Sequence, residues 1–206
     1  MGVYRRFRWW AGLAALLLAG VAAIAADPPM RVFRTVATQM EPTVLEGEAV
    51  LIDTEYYRSH TPARGDVVMF IGPHTRYEQL FRIVGLPGEL VELHEGQLII
   101  EDWQVPRRRI DDYSYHYTPN SPAETLAQYV EALPVGANGE VREHRIVKRD
   151  DDGVLNNTKV FGVPRDHYFV LGDNRDNSAD SRTNLGFVPS GAIVGKAISH
   201  AGFDIE

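Results

Sequence analysis

The chain has 206 residues, 44% of them hydrophobic and 24% charged, which is typical of a globular protein with one core. Residues 1–26 hold three arginines and no acid, so residues 27–206 carry 18 basic and 28 acidic residues, a formal charge of −10. This balance argues against nucleic-acid binding, which needs a basic face. Cysteine is absent and the histidines are scattered, so we expect no disulfide, no metal and no cofactor.

An uncharged run of 18 residues, 9–26, follows Arg5, Arg6 and Arg8. A helix of this length spans about 27 Å, enough for the core of a bilayer. The basic flank predicts a cytoplasmic N-terminus. We therefore expect residues 1–26 to form a single-pass anchor in the inner membrane, with residues 27–206 outside the cytoplasm. A cleavable signal peptide ending at the Ala-Ile-Ala of 23–25 is the alternative.

Short apolar runs separated by turn residues predict a mainly β fold with antiparallel sheets after the one transmembrane helix. Strand patterns occupy residues 31–36, 49–52, 67–70, 80–84, 89–94, 97–100, 144–148, 167–171 and 193–197. The Glu95-Gly96 pair between two of these runs predicts a hairpin.

Residues 102–150 are mostly polar and lack a clear period until residue 144. The three arginines at 107–109 precede Asp111 and Asp112, a pattern typical of a solvated charged loop. The sequence Ser-Pro-Ala-Glu at 121–124 is a capping box with proline at the first helical position, and it predicts a short helix to Val130.

The stretch 172–182, Gly-Asp-Asn-Arg-Asp-Asn-Ser-Ala-Asp-Ser-Arg, directly follows the strand pattern 167–171. Short polar side chains that hydrogen-bond to nearby backbone build tight loops. Arginines beside aspartates add charge-assisted bonds. We interpret the stretch as a site-forming loop rather than a solvated turn, braced by Asp173, Arg175, Asp180 and Arg182.

Four motifs, in this order, resemble those of type I signal peptidases, membrane-anchored proteases with a serine/lysine dyad. They are Met-Glu-Pro-Thr at 40–43, Gly-Asp at 65–66, Gly-Leu-Pro-Gly at 85–88 and the 172–182 loop. The resemblance covers most of residues 1–197. It implies an antiparallel β domain over 27–206, with residues 102–150 as the variable insertion of the family.

The catalytic dyad of the resembled family is missing here. The resemblance places Gln39 at the nucleophile position, Phe81 at the general-base position and Ala37 where the family often has an oxyanion donor. An amide cannot form an acyl-enzyme, phenylalanine takes no proton, and the adjacent Arg82 stays protonated. Ser178 matches the serine that holds the family's lysine, so we expect it near Phe81.

A relocated dyad is the alternative to a lost one. Thr38 lies one position from the nucleophile position, but a one-residue shift on a strand points a side chain to the opposite face. The three lysines of the chain, Lys148, Lys159 and Lys196, all fall outside the motif that should carry the base. We therefore expect catalytic inactivity.

The resemblance also implies two sets of site residues. The site-forming residues are Met40, Pro42, Thr43, Arg82, Asp173, Asn174, Arg175, Ser178, Asp180 and Arg182. The peptide-binding residues are Glu78, Gln79 and Leu80.

Three functions remain open from the sequence. The first is a signal-peptidase-like pseudoenzyme that still binds the signal peptides of exported proteins. The second is an active signal peptidase with a non-standard nucleophile or base. The third is an assembly partner of another secretion component, without peptide binding.

Overall fold

The computed structural model describes residues 29–116, 121–136, 139–149, 153–200 and 203–205. The expected anchor, residues 1–26, lies outside these residues. Within the described ranges, no helix is long and apolar enough to cross a membrane.

The described residues form antiparallel β-sheets with two short 3₁₀ helices, which confirms the mainly β prediction. The 3₁₀ helices are Tyr56–Arg58 and Ser190–Ala192. The strands are β1 (Met30–Arg34), β2 (Ala49–Asp53), β3 (Val67–Ile71), β4 (Glu78–Gly85), β5 (Leu90–His94), β6 (Gln97–Ile100), β7 (Trp103–Gln104), β8 (Arg107–His116), β9 (Ala123–Pro134), β10 (Val141–Lys148), β11 (Phe161–Gly162), β12 (His167–Leu171), β13 (Val188–Pro189), β14 (Ile193–His200) and β15 (Phe203–Asp204).

The main sheet has the order β1-β2-β14-β3-β4-β12-β13, with β15 paired to β14. Its centre is buried on both faces, which is why Val67–Phe70 of β3 is a continuous apolar run rather than an alternating one. One apolar cluster includes Phe70 and Phe81, and a second includes Phe169 and Leu171. The sheet therefore holds β4 and the end of β12 in place where the 172–182 loop begins.

The predicted hairpin is confirmed as β5 paired with β6. Its turn residues Glu95 and Gly96 have φ angles of 49° and 70°. Positive φ at both central positions is what a tight two-residue hairpin turn requires, and glycine adopts it without steric cost. These two strands belong to a second sheet of order β11-β5-β6-β7.

The insertion is more regular than the sequence predicted. Strands β10, β9 and β8 form a three-stranded sheet, so the predicted helix from Ser121 to Val130 is wrong. Pairing of β9 with a strand on each side outweighs the local capping signal, because propensity is a weak prior against tertiary contacts. The predicted loop at 107–109 is also wrong: Arg107 and Arg109 lie in β8, and both guanidinium groups lie over the ring of Tyr129, 4.8 and 5.7 Å from its centroid.

Candidate functional site

A groove of about 1020 Å³ lies between the segment that follows β1, the start of β4 and the loop after β12. Its mouth carries two exposed apolar side chains, Val36 and Tyr77. The residues that line it are Val36, Ala37, Thr38, Gln39, Glu46, His74, Thr75, Tyr77, Glu78, Gln79, Phe81, Tyr115, Asp176, Asn177, Ser178, Ala179, Thr183, Asn184 and Leu185.

The start of β4 has an open edge in the described structure. The strand pairs with β3 from Glu78 to Arg82, but its pairing with β12 covers only Arg82 to Gly85. The backbone from Glu78 to Phe81 is therefore paired to a strand on one side. An extended peptide can add to such an edge through main-chain hydrogen bonds.

The three residues that the resemblance aligned with catalytic positions, Gln39, Phe81 and Ala37, all line this groove. Gln39 is half-buried, and its carbonyl oxygen accepts the backbone N–H of Asn174 at 3.0 Å. Phe81 is buried and packs against Phe70, with ring centroids 5.9 Å apart. Ala37 is exposed at the rim. None of the three side chains can exchange a proton.

Each of the three lysines of the chain has a partner in the described structure. Lys148 donates to Asn156 Oδ1 at 2.5 Å and lies 3.2 Å from Asp176 Oδ1, Lys196 pairs with Asp66, and Lys159 lies over the ring of Phe161. Among the groove-lining residues that the structure describes there is no lysine.

Gly172 brings the 172–182 loop against Gln39. A Cβ atom at Gly172 would lie 2.5 Å from the carbonyl oxygen of Gln39 and 2.3 Å from Ser178 Oγ, closer than real contacts allow. Because Gly172 has no side chain, Gln39 and Ser178 can both lie against its backbone. Ser178 Oγ is buried without a hydrogen-bond partner among the described residues. Ser178 and Phe81 line the same groove.

Beneath the groove, Arg82 and Asp173 form a buried bidentate ion pair. Arg82 Nε donates to Asp173 Oδ1 at 2.9 Å and Nη2 donates to Oδ2 at 2.8 Å. Thr43 Oγ1 also donates to Asp173 Oδ2, at 2.5 Å. Burial alone would raise the pKa of Asp173, but the charge and hydrogen bonds of Arg82 outweigh it and lower this pKa. Paired in this way, both charges can remain buried.

The rest of the loop is held by similar pairs. Arg182 Nε donates to Asp180 Oδ1 at 2.8 Å, and both side chains are fully buried. Arg175 pairs with Glu131 of β9. Two backbone hydrogen bonds, each 3.0 Å long, join Val147 of β10 to the loop. The Val147 N–H donates to the Asp173 carbonyl, and the Arg175 N–H donates to the Val147 carbonyl. The insertion sheet and the loop are thus one packed unit.

The remaining predicted site residues divide between the groove and the core. Glu78 and Gln79 line the groove, whereas the side chain of Leu80 lies in the apolar core and leaves only its backbone at the edge. Met40 is also a core residue, and Pro42 is half-buried. Asn174 supports the wall through its Nδ2, which donates to the Thr38 carbonyl at 3.2 Å.

Sequence reasoning missed Tyr115, Glu131 and His144 of the insertion, and it did not single out Asn177 within the 172–182 loop. Tyr115 and Asn177 line the groove beside Thr38, and Glu131 and His144 are buried under the loop. A single polar residue in a strand that alternates apolar and polar side chains carries no signal of burial, because a strand with one solvated face shows the same alternation. Only the pairing of β9 with β10, which places His144 opposite Glu131, brings them together.

Comparison with known proteins identifies the family. The family described as signal peptidase, peptidase S26, matches residues 7–201. The chain belongs to this family. Its motifs at 40–43, 65–66, 85–88 and 172–182 all fall within the matched range.

Relatives in the signal peptidase family are similar over part of their length. Signal peptidase I of Rickettsia massiliae (strain Mtu5) is 36% identical over 143 residues, which cover 66% of this chain and 50% of the relative. Signal peptidase I of Rickettsia bellii (strain OSU 85-389) is 35% identical over 143 residues, 68% of this chain and 47% of the relative. The chain thus spans about half the length of the curated relatives it matches.

Among solved structures, a signal peptidase I from Enterococcus faecalis V583 is similar at 27% identity. The match covers 66% of this chain and 97% of that chain, with a TM-score of 0.38.

Proposed function

We propose that this chain is a non-catalytic member of the signal peptidase family that binds signal peptides of exported proteins in its groove. The observation that carries the proposal is the combination of Gln39 and Phe81 in a groove whose supporting loop keeps its paired charges. A serine/lysine protease needs a hydroxyl nucleophile and a lysine kept neutral by burial, and neither occupies its position here.

Two of the hydroxyl groups that line the groove, those of Thr38 and Ser178, support inactivity. Thr38 Oγ1 lies 3.1 Å from Tyr115 OH and 2.7 Å from Asn177 Nδ2, and neither partner is a base. Ser178 Oγ makes no hydrogen bond with any described residue. An activated nucleophile requires a base within hydrogen-bond reach, and the described contacts of these hydroxyls include none.

Peptide binding is supported by the shape of the site. The open edge at Glu78–Phe81 offers main-chain groups for strand addition, and the exposed Val36 and Tyr77 offer apolar contacts beside it. The same proposal assigns residues 1–26 to an anchor in the inner membrane and residues 27–206 to an extracytoplasmic domain, with the membrane as a second partner. The basic flank and the uncharged run of residues 9–26 support this topology.

The test uses the full-length chain in detergent and a fluorescein-labelled signal peptide. Fluorescence anisotropy should show saturable binding, and mass spectrometry should show that the peptide stays intact. Ala37→Trp, at the groove rim, should abolish binding by filling the groove. Ala123→Trp, exposed at the start of β9 and away from the groove, is the matched control and should bind as the wild type does.

The outcomes separate the three functions. Turnover of the peptide by the wild type would establish an active peptidase with a non-standard nucleophile or base. Absence of binding by a folded wild type would favour the assembly partner that has left peptide binding.

A further inference from the structure

Three polar side chains form a hydrogen-bonded cluster in the wall of the groove. Asn177 Nδ2 lies 2.7 Å from Thr38 Oγ1 and 2.8 Å from Tyr115 OH. The two hydroxyl oxygens are 3.1 Å apart. Thr38 belongs to the segment after β1, Asn177 to the 172–182 loop and Tyr115 to β8 of the insertion, so the cluster joins three separate parts of the chain.

The three distances determine the orientation of the Asn177 amide. If the amide oxygen faced the two hydroxyls, each hydroxyl would donate its single hydrogen to that oxygen. The 3.1 Å contact between Thr38 and Tyr115 would then hold two oxygens with no hydrogen between them. With the amide nitrogen facing them, its two hydrogens serve both hydroxyls, and one hydroxyl hydrogen completes the third contact. The amide oxygen of Asn177 therefore faces away from both hydroxyls.

The amide oxygen of Asn177 is an acceptor on a groove-lining side chain. Asn177 is half-buried, and the described residues donate no hydrogen bond to its Oδ1. Its orientation is set before any ligand arrives, so little conformational entropy remains to be lost on binding. An acceptor held in this way in a peptide groove suits a main-chain N–H.

The hydroxyl of Tyr115 is itself held in place by the insertion. The Tyr115 ring is buried in a small apolar cluster with Leu126 of β9 and Val147 of β10. Val147 is also the residue whose backbone bonds to the 172–182 loop. The position of the Tyr115 hydroxyl is thus coupled to the loop that carries Asn177.

We propose that Asn177 Oδ1 accepts a hydrogen bond from one main-chain N–H of the bound peptide, and that Tyr115 is a positioning residue for it. The insertion sheet then contributes to peptide affinity at the groove through Tyr115. This inference rests on the proposed function, because its ligand is the extended peptide that the groove binds.

The first test compares variants by anisotropy with the labelled signal peptide and full-length protein. Asn177→Ala should weaken binding by about tenfold, the upper range for one hydrogen bond. Tyr115→Phe, which leaves Asn177 in place, should weaken it by about threefold through lost orientation. Tyr113→Phe is the matched control on the same strand: its hydroxyl donates to Glu41 Oε2 at 3.1 Å and lies outside the groove, so affinity should not change.

The second test identifies the bond itself. In a series of peptides, each main-chain amide in turn is replaced by an ester, which removes one N–H. The wild type should lose affinity at one position where Asn177→Ala loses none, and both proteins should respond equally at all other positions. A purely structural role of Asn177 would lower affinity without this position-specific difference, and that result would overturn the inference.

Failure of the proposed function and failure of this inference give different results. A wild type that binds no peptide overturns the proposed function together with this inference. A wild type that binds, with Asn177→Ala equal to it in affinity and in ester response, overturns this inference alone.

Discussion

Arg175 of the 172–182 loop and Glu131 of β9 form an ion pair that is completely buried. Arg175 Nη1 donates to Glu131 Oε1 at 2.9 Å, and Nη2 donates to Oε2. Burial alone would raise the pKa of Glu131, but the charge of Arg175 outweighs it and lowers that pKa. The insertion sheet therefore supplies the counter-charge without which the loop could not bury this arginine.

Removal of Glu131 should destabilise the fold strongly. Glu131→Ala leaves Arg175 buried without its partner, at a cost of about 3–5 kcal/mol in the free energy of unfolding. Urea unfolding followed by circular dichroism measures the loss. The control is Glu124→Ala on the same strand as Glu131, because the Glu124 carboxylate forms an exposed pair with Arg149. That variant should stay within about 1 kcal/mol of the wild type, and equal losses in both variants would contradict the proposed role of the buried pair.

His144 should make stability depend on pH. Its ring is buried, with Nε2 3.4 Å from Glu131 Oε2 and 3.9 Å from Asp173 Oδ1, and neither ring nitrogen forms a hydrogen bond with a described residue. Burial, followed by the charge of Arg82 on β4, lowers the pKa of His144. A lowered folded-state pKa means that the unfolded chain binds the proton more readily, so stability is present above pH of about 6.5 and is lost as pH falls through the folded pKa.

The measurement is the urea midpoint between pH 7.5 and 5.5. The wild type should become less stable across this window, and His144→Gln should show a flatter dependence. The lowered pKa values of Glu131 and Asp173 act in the same direction, but below about pH 4, where carboxylates protonate. An unchanged slope in His144→Gln would exclude this histidine as the source.

Ser178 and Ser181 should respond oppositely to the loss of their hydroxyl groups. Ser178 Oγ is buried without a partner, so Ser178→Ala removes an unsatisfied group and should leave the melting temperature equal or higher. Ser181 Oγ accepts a hydrogen bond from the N–H of Val170 at 2.9 Å. Ser181→Ala leaves this buried donor without its acceptor and should lower the free energy of unfolding by about 1–3 kcal/mol. Differential scanning calorimetry of both variants decides the matter, and a clear loss in Ser178→Ala would show that its hydroxyl is bonded in solution.

Catalysis should be absent and partly recoverable. Loss of one member of a nucleophile-base unit typically costs on the order of a millionfold in turnover, and a second loss adds little. Gln39→Ser alone should therefore stay inactive for want of a base, and Phe81→Lys alone for want of a nucleophile. The double variant should recover weak cleavage if the groove keeps the new lysine neutral, and Ala37→Ser should raise it further by adding an oxyanion donor.

A pre-protein cleavage assay on the wild type, both single variants, the double and the triple tests this series. Cleavage by the wild type that a serine-directed inhibitor blocks would refute the pseudoenzyme interpretation. A folded but silent triple variant would indicate that the groove no longer positions a scissile peptide, in favour of the assembly-partner function.

The topology prediction concerns the N-terminal segment. A reporter that is active only outside the cytoplasm, fused after Glu206, should be active in the full-length chain, because Arg5, Arg6 and Arg8 precede the uncharged run. The matched control lacks residues 1–26 and should leave the reporter in the cytoplasm. A silent full-length fusion would refute this orientation.

The sequence by itself determined the β class and the family, because these depend on local patterns. Apolar runs between turn residues predict strands, and the four motifs in order indicate the family without any coordinates. The hairpin at Glu95-Gly96 was predictable for the same reason, since two adjacent residues decide the turn.

Only the tertiary structure decided the insertion and the buried network. The capping box at Ser121 is a genuine local helix signal, yet β9 pairs with β8 and β10, and long-range pairing outweighs propensity. Glu131 and His144 look like solvated residues in the sequence. The charge of Glu131 can be buried because Arg175, distant along the chain, pairs with it. His144 is buried because β10 pairs with β9 and places it opposite Glu131.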